Sequence, residues 1–291
     1  MVARVPGAFA TRAVPGTRFA DVRWVAETGS TNRDLLAEAA AGAPEGVVLV
    51  ADHQTAGRGR LDRTWTAPAG SSLLVSVLLR PPVEPGQAYL VGVAGGVAAC
   101  DACAEVAGVR PGLKWPNDLV VREGPHTDRK LAGLLAESVV AGAVLRAVVL
   151  GMGLNVDWSD GIPADLAGPA PEDRSGAVGA GASSLGQLVD GPVDREALLV
   201  AWLRNLDREL ELLGTAVGRE ALAERARERS ATVGRSVRVE RPDGVLTGRA
   251  VGLTPSGALR VEPDGGGPPV EVTVGDVVHL RHRGPAGSSS G

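Results

Sequence analysis

Along residues 45–156 of this 291-residue chain, short apolar runs bounded by turn formers alternate with stretches of helical spacing. EGVVLVAD (45–52) and SSLLVSVLLR (71–80) are rich in Val and Leu and too short for helices of ordinary length, so they predict strands. AYLVGVAGGVAACDACAEVAG (88–108) is long, alanine-rich and apolar on every side, which predicts a buried helix. Three further apolar runs, LKWPNDLVV, LAGLLAESVV and VLRAVVLGMGLNV, are expected side by side in a sheet, with REGPHTDR as the turn between the first two. Upstream, Thr31 followed by Asp34 reads as a capping box opening NRDLLAEAAA, and Gly42 as its stop. DREALLVAWLRNLDRELELL places Leu199, Trp202, Leu203, Leu206, Leu210 and Leu213 on one helical stripe, and REALAERARERS continues as a charged helix. After Ser230 the pattern breaks into the short β segments SVRVERP, LTGRAVGLT, ALRVEP and VEVTVGDVVHLR, joined by Asp-Gly and Gly-rich turns, which predicts a small β-barrel.

These patterns give an α/β or α+β core over residues 21–230, with α+β the expected class, and a barrel over 231–283. Residues 1–20, broken by closely spaced Pro and Gly, and 284–291 are expected as flexible tails, and the Gly/Ala/Pro/Ser-rich stretch from Ser159 to about Gly186 as a mobile loop.

Composition narrows the function classes. A net charge of -4 argues against a general nucleic-acid binder. No apolar stretch reads as membrane-spanning and no signal-peptide core forms before Pro15, so the expected location is the cytoplasm. Cys100 and Cys103 form a lone CxxC inside the predicted buried helix and read as free thiols. His279 and His282, with no further ligand nearby, read as ordinary surface. The 30 cationic side chains include only two lysines, Lys114 and Lys130, and both lie in short motifs. Such economy suggests that a compact, mobile ammonium is needed at those places.

The candidate chemistry centres on HQTAGRGRLDRTW (53–65). Gly57 and Gly59 allow close backbone approach to a ligand and space Arg58 and Arg60 so that two guanidinium forks can converge on one anion, while Trp65 offers a face for a nucleotide base. The loop is neither a Walker loop nor GxGxxG.

GSTN (29–32), HQTAGRGR (53–60), KWPND (114–118), RKLAGLL (129–135) and GMGLNV (151–156) occur in the order seen in biotin protein ligases, and the chain resembles that family from about residue 22 to residue 283. The resemblance implies a class II aminoacyl-tRNA synthetase-like catalytic domain with an SH3-type C-terminal barrel. It also implies an ATP-dependent formation of biotinyl-5′-AMP, transfer of biotin to one lysine of a carboxylase's carrier domain, and Mg²⁺ with the ATP. Ser30, Thr31, Asn32 and Gln54 then resemble the contacts to the ring end of biotin. Arg58, Gly59 and Arg60 resemble those spanning the acyl-adenylate junction. Lys130 corresponds to the lysine on the biotin carboxylate and α-phosphate, Asp118 to a metal or Lys130 partner, Trp65 and Asn155 to nucleotide contacts, and Gly133 and Leu135 to the biotin-pocket wall. Lys114 fits either a site cation or a structural ion pair with Asp118. Asp62 stands where many members have glycine, implying a stiffer loop. The stretch ahead of the catalytic pattern is too short for a helix-turn-helix domain, so a biotin-sensing repressor is the disfavoured reading; a lipoate or octanoate ligase is the nearer rival. The expected assembly is a monomer or weak homodimer.

Overall fold

A computed structural model describes residues 11–158, 177–178, 181–254 and 256–280. The main sheet has seven strands: β1 (Asp21–Thr28), β2 (Val47–Gln54), β3 (Ser72–Leu79), β4 (Gly112–Lys114), β5 (Asp118–Val120), β6 (Lys130–Ala141) and β7 (Val144–Asn155). Their spatial order is β1-β2-β3-β7-β6-β5-β4. β1 and β2 are parallel and every other pair is antiparallel. β1 carries no clean period-two pattern and was not anticipated. LKWPNDLVV is not one strand but a hairpin, β4 turning into β5 through a cis Trp115–Pro116 bond, because proline cannot serve a central ladder.

The sheet is covered on both faces, which is why β3 is buried along its whole length. Alternate residues Val48, Val50, Val75, Val77, Val148 and Leu150 face α2 (Tyr89–Ala107) and α3 (Arg195–Glu211). Their neighbours Leu49, Leu78, Ala147 and Val149 face Leu35 and Ala39 of α1 (Thr31–Ala40). The stripe on α3 is buried as expected, and Asp194 caps that helix by accepting from the Glu196 and Ala197 amides. One expectation about membranes needs correcting. The helical segment Pro85–Ala107 is long and apolar enough to cross a bilayer, but here it is core, packed against α3 and the sheet. Its thiols are buried, and burial pushes both up, Cys103 to about 12, so they are inert.

Residues 11–20 are not a tail. Val14 and Phe19 sit in the main core, the Thr11 amide donates to Glu196 and the Arg18 guanidinium donates to Asp207, so burial and polar ties to α3 together hold the segment. The end of the expected mobile loop is likewise fixed: Ser183, Ser184 and Leu185 are fully buried, and the Ser183 amide donates to the Lys130 carbonyl. Residues 1–10, 159–176 and 281–291, including His282 and the C-terminal tail, lie outside the described residues.

A second sheet collects β8 (Ala177–Val178), which precedes α3, and the strands that follow α4 (Ala216–Glu228), namely β9 (Ser236–Arg241), β10 (Gly244–Leu253), β11 (Leu259–Pro263), β12 (Val270–Val272) and β13 (Asp276–Leu280), in the order β12-β11-β10-β9-β13-β8. VEVTVGDVVHLR supplies two of these strands rather than one. The sheet is antiparallel and barrel-like, but it does not close. Trp115 leaves the β4–β5 hairpin to pack on its core and donates its indole N–H to the Gly257 carbonyl at 2.9 Å, anchoring the two sheets together.

Candidate functional site

Where β6 and β7 pass under loop 57–65, a cavity of about 300 Å³ is bordered by Ser30, Thr31, Asn32, Gln54, Arg58, Gly59, Arg60, Trp65, Asp118, Lys130, Gly133 and Leu135. All the candidate side chains except Asn155 therefore meet in one place. Asn155 is buried behind the wall, where its amide donates to the carbonyls of Ser183 (3.0 Å) and Lys130 (3.4 Å), so it supports the backbone under Lys130 rather than bordering the cavity.

Glycines make the room. Gly133 and Gly153 are directly paired on β6 and β7, and the Trp65 ring lies over both; a Cβ at 153 would overlap the indole, and one at 133 would sit 3.0 Å from it and from the Lys130 ammonium. Gly151 does the same for Asn32. GMGLN is thus a flat floor for two large polar or aromatic groups. Gly57 serves the loop itself: it lets the Trp65 carbonyl pass against its backbone, and the loop closes as a small hairpin with Gly57 accepting from the Trp65 amide. At its tip Leu61 and Asp62 both adopt left-handed backbone, φ 52° and 57°, so Asp62 occupies a conformation that glycine holds without strain.

One wall is a continuous polar chain. Gln54 accepts from the Thr31 amide (2.8 Å), the Thr31 and Ser76 hydroxyls share a hydrogen bond (2.7 Å), and Ser76 donates to Asn32 (2.6 Å). Asn32 in turn donates to Glu137 (2.9 Å), which also holds Arg58 (2.9 Å). The capping box at Thr31 and Asp34 does not form: Ser30 is the N-cap residue, with no side-chain cap bond, because Thr31 is committed to this chain. Ser76 and Glu137 were not anticipated, since each lies within an apolar strand pattern that gives no hint of which face it occupies.

The cations come with carboxylates. Lys130 Nζ lies 2.7 Å from Asp118 and 5.3 Å from the Trp65 ring centre. Arg60 donates to Asn117 (3.3 Å) and lies 3.9 Å from Asp276 of the second sheet, which Arg63 also pairs with. Asp276 and Asn117 are further residues the sequence did not single out. Lys114 also borders the cavity. It makes no ion pair with Asp118, and burial, followed by repulsion from Lys130, lowers its pKa despite nearby carboxylates. Among the described residues no group of three or more His, Cys, Asp or Glu could hold a metal ion, and Asp118 is already engaged by Lys130, so the residues present do not form a protein-held Mg²⁺ site.

The pattern of the Biotin/lipoate A/B protein ligase family matches residues 25–155, and that of the Biotin protein ligase C terminal domain matches residues 232–280. A biotin--[acetyl-CoA-carboxylase] ligase of Mycobacterium tuberculosis is 43% identical over 272 residues, spanning 91% of each chain. The chain belongs to the biotin protein ligase family. Its fold also matches a biotin protein ligase from Aquifex aeolicus in complex with biotin and ATP, with TM-score 0.70 and 25% identity over 91% of this chain and 100% of that one. The bifunctional ligase/repressor BirA of Escherichia coli is 29% identical over 236 residues, 81% of this chain and 67% of that protein.

Proposed function

We propose that this chain activates biotin with ATP and transfers it to a lysine of an acyl-CoA carboxylase's carrier domain. The observation that carries this reading is the convergence on one cavity of a neutral polar wall, Ser30 to Gln54, with an anion-binding wall of Arg58, Arg60 and Lys130. The ureido group of biotin both donates and accepts hydrogen bonds, which suits the first wall. The carboxylate and the triphosphate repel each other, which the second wall offsets.

In the first step a biotin carboxylate oxygen forms a bond to the α-phosphorus, the bond from that phosphorus to the bridging oxygen breaks, and pyrophosphate leaves. Lys130 follows the negative charge from carboxylate to phosphoryl oxygen, and a point charge on a flexible stem does this better than a rigid fork. In the second step the acceptor amine attacks the acyl carbon and AMP leaves with the bonding electrons. That amine must first lose a proton, against a reference pKa of about 10.4. We assign the proton to Asp118, which borders the cavity beside Lys130. An adjoining, larger cavity of about 650 Å³ shares Arg58, Arg60 and Lys114 to Asp118 with the first and offers the acceptor a way in. Mg²⁺ would arrive with the triphosphate, and the cytoplasm, where Cys100 and Cys103 stay reduced, is the setting we assign.

The test is ATP-dependent transfer of labelled biotin to an isolated carrier domain, with lipoate as the competing acid. Transfer of biotin and not lipoate by the wild type, and a loss of at least about 100-fold in Lys130→Ala, is expected. Equal pyrophosphate release with lipoate, or full activity of Lys130→Ala, would overturn the assignment.

A further inference from the structure

A buried polar relay joins the second sheet to the two strands that carry Lys130 and Asp118. Asp128, in the turn leading into β6, is 3% exposed and adopts φ 66°. Arg235 grips its carboxylate with both terminal nitrogens, at 2.6 and 2.8 Å. His279, on β13 and 1% exposed, lies with Nδ1 3.3 Å from the same carboxylate and Nε2 3.1 Å from the Thr232 hydroxyl. That hydroxyl accepts from the Trp115 amide at 3.1 Å, at the head of the hairpin that presents Asp118. Its own hydrogen is then free for Nε2, which leaves Nδ1 as the protonated nitrogen donating to Asp128. The expectation that His279 is ordinary surface is therefore wrong, since its strand turns inward against the catalytic body.

The relay's geometry fixes backbone rather than touching ligand. Asp128 is two residues from Lys130, and its amide donates to the Val121 carbonyl at 2.8 Å, while the Val121 amide donates back to Arg129 at 3.0 Å. On the far side, the Lys130 amide donates to Gly181 (3.1 Å) and its carbonyl accepts from Ser183 (2.9 Å). Lys130 thus sits at the mouth of a clamped turn whose outer handle is held by Arg235 and His279.

We propose that Asp128, Arg235, His279 and Thr232 act as positioning residues, through which the second sheet sets the Lys130–Asp118 pair and so the affinity for the biotin carboxylate. The proposal rests on the functional reading above. A half-satisfied carboxylate here would release the turn, because an unpaired buried charge is costly. Asn tolerates the left-handed backbone at 128, so Asp128→Asn removes the charge while keeping the shape.

The experiment measures biotin affinity by calorimetry for the full chain in a cycle of Asp128→Asn, Lys130→Ala and the double variant. Asp128→Asn is expected to weaken biotin binding about tenfold when Lys130 is present and less than about twofold when it is absent, the signature of coupling. The same factor in both backgrounds, or no change in either, would overturn the positioning role. Should Asp128→Asn not fold, Arg235→Gln and Arg235→Lys in the same two backgrounds decide by the same criterion, with lysine expected to recover most of the loss. If Lys130→Ala alone leaves both biotin affinity and transfer intact, the functional reading fails, whereas a sensitive Lys130 with an indifferent Asp128 sinks only the relay.

Discussion

Gly153→Ala is the sharpest probe of how the site is assembled. A Cβ at 153 would lie inside contact distance of Cε2, Cζ2 and Nε1 of Trp65, so either the strand or the indole must move. The strand is pinned on both sides, by β3 and β6, whereas Trp65 is half-buried on a loop. The ring therefore gives way. Overpacking of this kind costs about 1–3 kcal/mol, and loss of the Lys130 contact adds roughly 0.5–1 kcal/mol at a part-exposed site. Because the loop rather than the core absorbs the strain, Tm should fall by only about 2 °C, while KM for biotin and ATP rises about 10- to 100-fold. The assay is pyrophosphate release at varied biotin, paired with limited trypsin digestion, since Arg58, Arg60 and Arg63 become cleavable as the loop lifts. Gly92→Ala is the control: its Cβ would meet only Ala136 at 3.9 Å, and alanine in a helix interior should raise Tm slightly. Unchanged KM together with unchanged trypsin sensitivity in Gly153→Ala would show that Trp65 does not use this floor.

Asp62→Gly should relieve the left-handed backbone at the loop tip and slow escape of the bound adenylate about two- to fivefold, read as release of labelled biotinyl-AMP from the isolated complex. A faster escape would refute that account. Lys114→Met should raise Tm by about 2 °C, because burial already disfavours the charged amine, yet lower the rate of pyrophosphate release. Acidification should act in two windows. Burial lowers the pKa of His279 below its ordinary value of about 6.5, so its share of stability is full above that value and is lost as pH falls through it, with Arg235 and Lys114 adding to the penalty. Burial opposes ionisation of Asp128, but His279 and Arg235 outweigh it and hold its carboxyl at about 2, so that share survives until well below pH 4. Thermal melts from pH 7.5 to 5 should therefore fall less steeply in His279→Gln than in the wild type; parallel slopes would count against a neutral buried imidazole.

The elements most legible in the sequence were those whose fate depends on local pattern. The continuous runs of β2 and β3, the all-round apolar α2 and the stripe of α3 each state a period and a degree of burial. The five motifs, with Trp65 just beyond the second, mark candidate side chains of which all but Asn155 border a single cavity. What stayed hidden depends on pairing across distance. Glu137 and Ser76 look like ordinary alternation until β6 and β3 are placed, Asp276 is meaningful only once β13 meets loop 57–65, and the hydrogen bonds of Asn155 to the Lys130 and Ser183 carbonyls appear only once β7 is seated beside them. Phe19, in the stretch PGTRFAD, carries no periodic signal at all, yet it sits in the main core.

Several cations crowded round one cavity would repel each other if the cavity walls kept water away. The fold answers this with a carboxylate from a different strand at each point: Glu137 of β6 for Arg58, Asp118 of β5 for Lys130, and Asp276 of β13 for Arg60 and Arg63. Each pair is part-exposed, so each adds little to global stability, but together they let the site stand assembled before any substrate arrives. A substrate anion then meets groups already oriented, which removes an ordering cost from the binding step. Lys114 has no ion-pair partner among the described residues, and burial drives its amine toward neutrality. It also makes Lys114 the group with most to gain from an incoming phosphate, since a new anion would satisfy a charge that the protein leaves unpaired.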